Sequence, residues 1–262
     1  MPILTYEQYS KIKHSIPYVL KLQSGNNYLY YFGEKHVFDP KHPQWDNLKY
    51  FWNKFLDKTK NQKRIVFTEG GIRPVENTEE QAIIKHSGMG LVTFLAHQKK
   101  IDVHSPEPDE KYERSELEKS YPRDIIQYYY FARVVLQWGR KNDPKPDFVE
   151  YITRYLDGDK KESGWNDYDF SLDNMKKIHR DLFNQEFDEH DTQFFYDVSN
   201  PVVIASEVNK VSADSSVIRD QYIVSEIQKY ITNGYPIFAE YGCSHVVMQE
   251  PALRELFEPN SL

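Results

Sequence analysis

Cysteine is nearly missing from this chain of 262 residues. The single thiol, Cys243, excludes an intrachain disulfide and a cysteine-based zinc cage. An excess of basic residues is missing too, with 33 Lys and Arg against 40 Asp and Glu, so the chain is not built to be held by nucleic-acid phosphates. No apolar run approaches the roughly 20 residues that span a bilayer. The opening "MPILTYEQYSKIKHSIPY" lacks the basic-then-apolar pattern of a signal peptide. Glycine and proline are sparse, at 11 and 14, whereas Tyr and Phe number 20 and 15, which argues for a folded core and against disorder. The expectation is a soluble, cytoplasmic protein with a small-molecule or peptide substrate and neither nucleic acid nor membrane as partner. Its oligomeric state is not specified.

The pattern along the chain predicts one α/β domain over 1–262, with a central, mostly parallel sheet flanked by helices. Residues 17–32 read as a hairpin, "PYVLKLQ" and "YLYYF" about a polar turn "SGNN". A helix follows with Trp45, Leu48, Trp52 and Phe55 on one face. "RIVF" (64–67), "IDVHSPEP" (101–108) and "PVVIASEV" (201–208) are strand candidates. Asn77 with Glu80 predicts a capping box opening a helix, and "LVTFLAH" continues it beyond Gly88 and Gly90. Residues 109–200 are predicted as a helical insertion or lid, since "DIIQYYYFARVVLQW" is apolar nearly all round. A helix through Ile218, Tyr222, Ile227 and Ile231 stops at Gly234, and "YPIFAEYGCSHVVMQEP" supplies one or two strands and a short final helix.

Ligands of such sheets sit beyond the carboxyl ends of the strands, and polar groups cluster at these predicted ends. "YLYYFGEKHVF" delivers Glu34 and His36, "RIVF" is followed by Glu69, and "IDVHSPEP" carries His104 and Glu107. The last strand brings Glu240 and then His245. Two ends share a Gly-x-x-His spacing, Gly33 to His36 and Gly242 to His245. Two imidazoles and several carboxylates in one cleft can bind a divalent metal or run metal-free acid–base chemistry on water. Cys243 lies between Gly242 and His245 and reads as a small buried residue in preference to a nucleophile. The stretch Asp188-Glu189-His190-Asp191 has metal-compatible chemistry but no metal-selecting spacing, and reads as a solvated loop.

The ordered motifs "YFGEKH", "VFTEGG", "SPEP", "SSVIRDQYIVSEI" and "FAEYGCSHV" resemble the erythromycin esterase/Tiki–TraB/ChaN-like superfamily. Glu34 and His36 match its first motif, Glu69 the second, Arg219-Asp220 the third and His245 the last. The resemblance covers both ends of the chain, and residues 109–200 match nothing. "GEKH" is one residue shorter than the GExxH of the esterases, closer to the Tiki and ChaN forms, which argues against macrolide-type substrates. The resemblance implies a hydrolase of an ester, lactone or amide. His36, oriented by Glu34, would take a proton from water while Glu69 positions that water. His245 or Arg219 would stabilise the oxyanion or protonate the leaving group, and Glu107 and His104 would contact substrate. In a metal version His36, Glu69 and His245 become ligands to Zn²⁺ or Mn²⁺. The alternative, from the ChaN-like branch, is a non-catalytic binder of haem or another planar ligand, walled by the aromatic insertion.

Overall fold

The computed structural model describes residues 2–258. In chain order the elements are α1 (Tyr6–Tyr9), β1 (Tyr18–Ser24), β2 (Asn27–Glu34), α2 (Gln44–Lys58), β3 (Ile65–Thr68), α3 (Glu79–Gln98) and β4 (Asp102–His104). Then come α4 (Glu110–Leu117), α5 (Arg123–Gly139), α6 (Phe148–Glu162), α7 (Leu172–Phe183) and α8 (Thr192–Ser199). The last are α9 (Glu207–Thr232), β5 (Ile237–Gly242) and α10 (Cys243–Leu256). These fall into two compact units, one from residues up to Glu107 together with those from Arg219, the other from Pro108–Ile218.

The first unit is α/β. Its five strands lie in the order β1-β2-β5-β3-β4. The β1–β2 hairpin is antiparallel and turns through Gly25-Asn26, while β5 is parallel to both its neighbours and β4 is parallel to β3. Side chains alternate across this sheet, so each strand feeds two cores. Leu29, Tyr31, Ile65, Phe67, Ile237 and Ala239 meet Ile223, Val224 and Ile227 of α9 and Val246 and Leu253 of α10. Tyr30, Phe32, Val66 and Phe238 meet Trp45, Leu48, Trp52 and Phe55 of α2 and Ile83, Leu91 and Val92 of α3. Burial on both faces is why "RIVF" and "YLYYF" read as continuous apolar runs.

Helix α3 starts one residue later than the capping box predicted. Thr78, not Asn77, is the N-cap, accepting from the Gln81 amide. The helix breaks at Ser87, whose φ of 55° and ψ of −142° lie outside helical space. A serine held there costs on the order of 1–3 kcal/mol, and such strain persists only where surrounding contacts demand it. The last strand also ends sooner than one reading allowed, because α10 begins at Cys243, directly after Gly242.

The second unit is helical among its described residues. Ile126, Tyr128–Ala132, Val135 and Trp138 of α5 form its core with Ile152, Leu156, Met175, Ile178 and Phe195. Several polar groups brought inside pair with one another: Tyr128 Oη pairs with His179 Nδ1 at 2.6 Å, and Gln127 joins Arg114 to Asp159. "PVVIASEV" is not a strand. Residues 201–206 are irregular and Glu207 already opens α9. With only helices around it the segment has no ladder to join, and Val203 and Ile204 are exposed. Asn209 instead ties the preceding turn down through Asp197, Val198 and Asn200 carbonyls. The acidic stretch before α8 has a local use: Asp191 caps that helix through the Phe194 amide, and Asp188 accepts from the His190 amide. No helix among the described residues is long and apolar enough to cross a membrane.

Candidate active site

The parallel register brings the carboxyl ends of β2, β5 and β3 level, with Glu34 beside Gly242 and Thr68 beside Glu240. Glu34 is the last residue of β2 and is fully buried. Two residues on, His36 folds back so that its Nδ1 donates to Glu34 Oε1 at 2.7 Å. The broken turn of α3 completes this arrangement. Ser87 Oγ reaches Glu34 Oε1 at 3.1 Å and Val37 O at 2.7 Å, and the Gly88 amide donates to Glu34 Oε2 at 3.1 Å. A Cβ at Gly88 would lie 2.3 Å from Glu34 Oε2 and 2.8 Å from Glu240 Oε1, so only glycine admits these carboxyl groups. The strain at Ser87 thus has a local reason.

His245 lies in the first turn of α10 and is buried. Its Nδ1 donates to Asp220 Oδ1 of α9 at 2.6 Å. Asp220 Oδ1 also accepts from Gln249 Nε2 at 2.7 Å, and Gln249 accepts from Tyr31 Oη at 3.0 Å. Between the two histidines sits Glu69. Its Oε2 accepts from the Gly242 amide at 2.7 Å, at the positive end of α10, and lies 3.6 Å from His36 Nε2. Its Oε1 lies 3.5 Å from His245 Nε2. The result is a row, Glu34–His36–Glu69–His245–Asp220, in which each imidazole has one nitrogen locked by a buried carboxylate and turns the other toward Glu69. Gly242 makes room for it: a Cβ there would sit 3.2 Å from His36 Nε2 and 3.5 Å from Glu69 Oε2.

The charges in this row stabilise one another. Burial alone would raise the Glu69 carboxyl, but His245, the Gly242 amide and His36 together bring it down to about 2. The hydrogen bond to Glu34 raises His36 above the usual imidazole range, against the opposing effect of burial and with Glu69 adding to it. His245 is raised well above that range. Burial opposes its charge, but Asp220 and Glu69 outweigh burial. Glu240 behaves oppositely. Fully buried beside Glu34, it is pushed well up by desolvation and by the charges of Glu34 and Glu69, with Arg73 opposing them. His36, whose side chain is 43% exposed, is the member of the row most open to solvent.

Other predicted residues occupy the flanks. Glu107 accepts from the Gly70 amide at 2.8 Å and pairs with Arg219 at 3.2 Å, bracing the turn that carries Glu69. His104 stands apart from the row. It pairs in register with Phe67, on the α9 side of the sheet, and its Nδ1 meets Tyr230 Oη at 2.9 Å. Cys243 is buried, its thiol donating to Gly33 O at 3.1 Å and raised by burial. Asp220, matched with Arg219 by resemblance but given no role, is the partner of His245, and two contributors were not singled out from sequence: Ser87 with Gly88 as the clamp on Glu34, and Gln249. Of these only Gln249 carries a local signal, standing four residues after His245 on one helix face.

The donor chemistry of His36, Glu69 and His245 suits a divalent ion, because metal-bound histidines commonly have their second nitrogen held by a carboxylate. The spacing is that of ion pairs: among the described residues no group of three or more His, Cys, Asp or Glu closes into a metal-holding set. A haem iron finds less here, since both Nε2 atoms face a carboxylate and the aromatics of residues 109–200 are spent on their own core. Comparison of the chain with protein-family models, with curated proteins and with solved structures gave no match.

Proposed function

We propose that this chain is a hydrolase of an ester, lactone or amide, working through His36 at the carboxyl end of the sheet. The observation that carries the reading is the row of alternating carboxylates and imidazoles, with its most exposed ring at one end. In its neutral form His36 takes a proton from a water held beside Nε2 and Glu69 on the solvent side, and that water attacks the substrate carbonyl. The carbon–oxygen or carbon–nitrogen bond then breaks as His36 Nε2 returns the proton to the leaving group. Glu34 fixes the tautomer that leaves Nε2 facing the reaction, and general-base assistance of this kind supplies roughly 10²–10⁴ in rate. His245, held cationic by Asp220 and Glu69, keeps Glu69 charged and aligned. Arg219, tethered by Glu107, is the cation that meets the developing oxyanion.

A second reading is favoured by the carboxylate on each Nδ1: His36, Glu69 and His245 would hold Zn²⁺ or Mn²⁺, which when bound would acidify water and polarise the carbonyl. The test is hydrolysis of a panel of aryl esters, lactones and amides by the wild type and His36→Ala, each with chelator, Zn²⁺ or Mn²⁺ added. Turnover that survives chelation and is lost in His36→Ala supports the metal-free reading. Turnover restored only by metal supports the second. No turnover in any condition, together with a Soret band on haemin addition that disappears in His36→Ala, would replace both with ligand binding.

A further inference from the structure

Arg73 lies four residues beyond Glu69, in the loop that leads to α3. Its guanidinium rests over the turn that carries Glu69, with Nη2 2.9 Å from where a Cβ on Gly70 would be. The Nη2 partner is the thioether of Met89 at 3.5 Å, a weak acceptor. The Nε is buried with no hydrogen-bond partner. No carboxylate of the described residues forms an ion pair with this side chain, although its charge acts on the buried Glu240, and the other arginines of the same unit all find acceptors. Arg64 is satisfied by the Leu56 and Thr59 carbonyls, Arg219 by Glu107 and Arg254 by Glu250. A shielded, charged N–H without an acceptor is among the more expensive defects a fold carries, so its persistence beside a reactive cluster asks what would satisfy it.

We infer that Arg73 seats a carboxylate of the substrate, so that the compounds cleaved at His36 are esters, lactones or amides carrying an anionic group near the scissile carbonyl. This rests on the hydrolase reading above. A guanidinium keeps its charge throughout the working pH range and offers a planar fork that matches two carboxylate oxygens, which an ammonium does not. The surroundings suit an anion with an apolar body. Ile72 and Val75, on either side of Arg73, and Phe38, two residues past His36, are large apolar side chains left exposed on the loops that carry the row. Such side chains cover hydrocarbon while Arg73 holds the charge.

The test compares 4-nitrophenyl hexanoate with the mono-4-nitrophenyl ester of adipic acid, which differs by a terminal carboxylate. The ratio of their kcat/KM values is read for the wild type, Arg73→Lys and Arg73→Gln, with melting temperatures confirming that each variant folds. In parallel, calorimetry measures binding of adipate and of adipamide, which needs no turnover. The wild type is expected to prefer the anionic ester, and adipate over adipamide, by roughly tenfold to a hundredfold. Arg73→Gln abolishes both preferences and Arg73→Lys retains part of them. A wild type without preference, or one whose preference survives in Arg73→Gln, overturns the inference. Arg73-dependent adipate binding without hydrolysis of either ester upholds the anion seat while the hydrolase reading falls. Hydrolysis with Arg73-independent adipate binding does the reverse.

Discussion

Replacing Glu69 by Gln removes the charge at the middle of the row while leaving an oxygen for the Gly242 amide. Glu69 falls from 4.5 to about 2 in the folded protein. Each tenfold change in proton affinity is about 1.4 kcal/mol, so this group contributes about 3 kcal/mol to folding when fully ionised in both states. The sign follows from the lowered value. The contribution is present above the unfolded pKa near 4.5 and is lost as pH falls toward 2. His245 and His36 carry the opposite dependence. Their raised values add stability that is complete below about 6.5 and drains away as pH climbs through them. Part of that rise is the same coupling to Glu69, so the contributions are not summed. Urea unfolding between pH 2 and 8 measures both limbs. The Gln variant should unfold at a midpoint on the order of 1–2 M lower at pH 6, with a flattened slope between pH 4.5 and 2. An acid limb identical to that of the wild type would refute the placement of Glu69 between two imidazolium ions.

Three further outcomes are expected. Gly242→Ala, whose backbone φ of −57° alanine accepts without strain, should lower kcat/KM at least tenfold by displacing His36 and Glu69, with unfolding free energy changed by less than about 1 kcal/mol. Gly88→Ala should instead destabilise by roughly 1–3 kcal/mol, read by thermal melting, because its Cβ overlaps two buried carboxyl groups. In Glu34→Gln the largest influence raising His36 is gone, so His36 should reach its neutral form at lower pH. The acid limb of the pH profile of kcat/KM then moves to lower pH, and NMR titration of the ring follows the same shift.

Much of the unit that carries the row was legible from apolar periodicity. The hairpin, α2 with its Trp45–Phe55 stripe, and the strand ends bearing Glu34, Glu69 and Glu240 follow from where hydrophobic runs stop. What failed did so where a local preference met a non-local partner. "PVVIASEV" has the β-branched composition of a strand, but a strand needs an edge to pair with, and its neighbours are helices. The cap moved from Asn77 to Thr78 because either side chain can accept the free amides of a first turn and backbone geometry selects between them. In the motif "IRDQ", Arg219 and Asp220 matched together by resemblance and only Arg219 received a role, yet Asp220 is the one that meets His245, twenty-five residues later. Adjacent helical residues point about 100° apart, so which one faces a later helix is a tertiary fact. Arg73 escaped notice because a buried N–H without an acceptor is visible only once every possible partner has been placed.

The seat of β5 between β2 and β3 has a consequence for biosynthesis. Cys243, the residue directly after that strand, hydrogen-bonds to Gly33, 210 residues earlier. While the ribosome works through the helical stretch between them, β2 and β3 each present an unfilled flank, and Glu34 and Glu69 wait without the Gly242–His245 turn. A nascent chain in that interval exposes sticky strand borders and has no assembled row, so holdase chaperones should favour it over the finished protein. A single proteolytic cut ahead of β5 would then take His245 away with the strand and reopen the sheet at its centre.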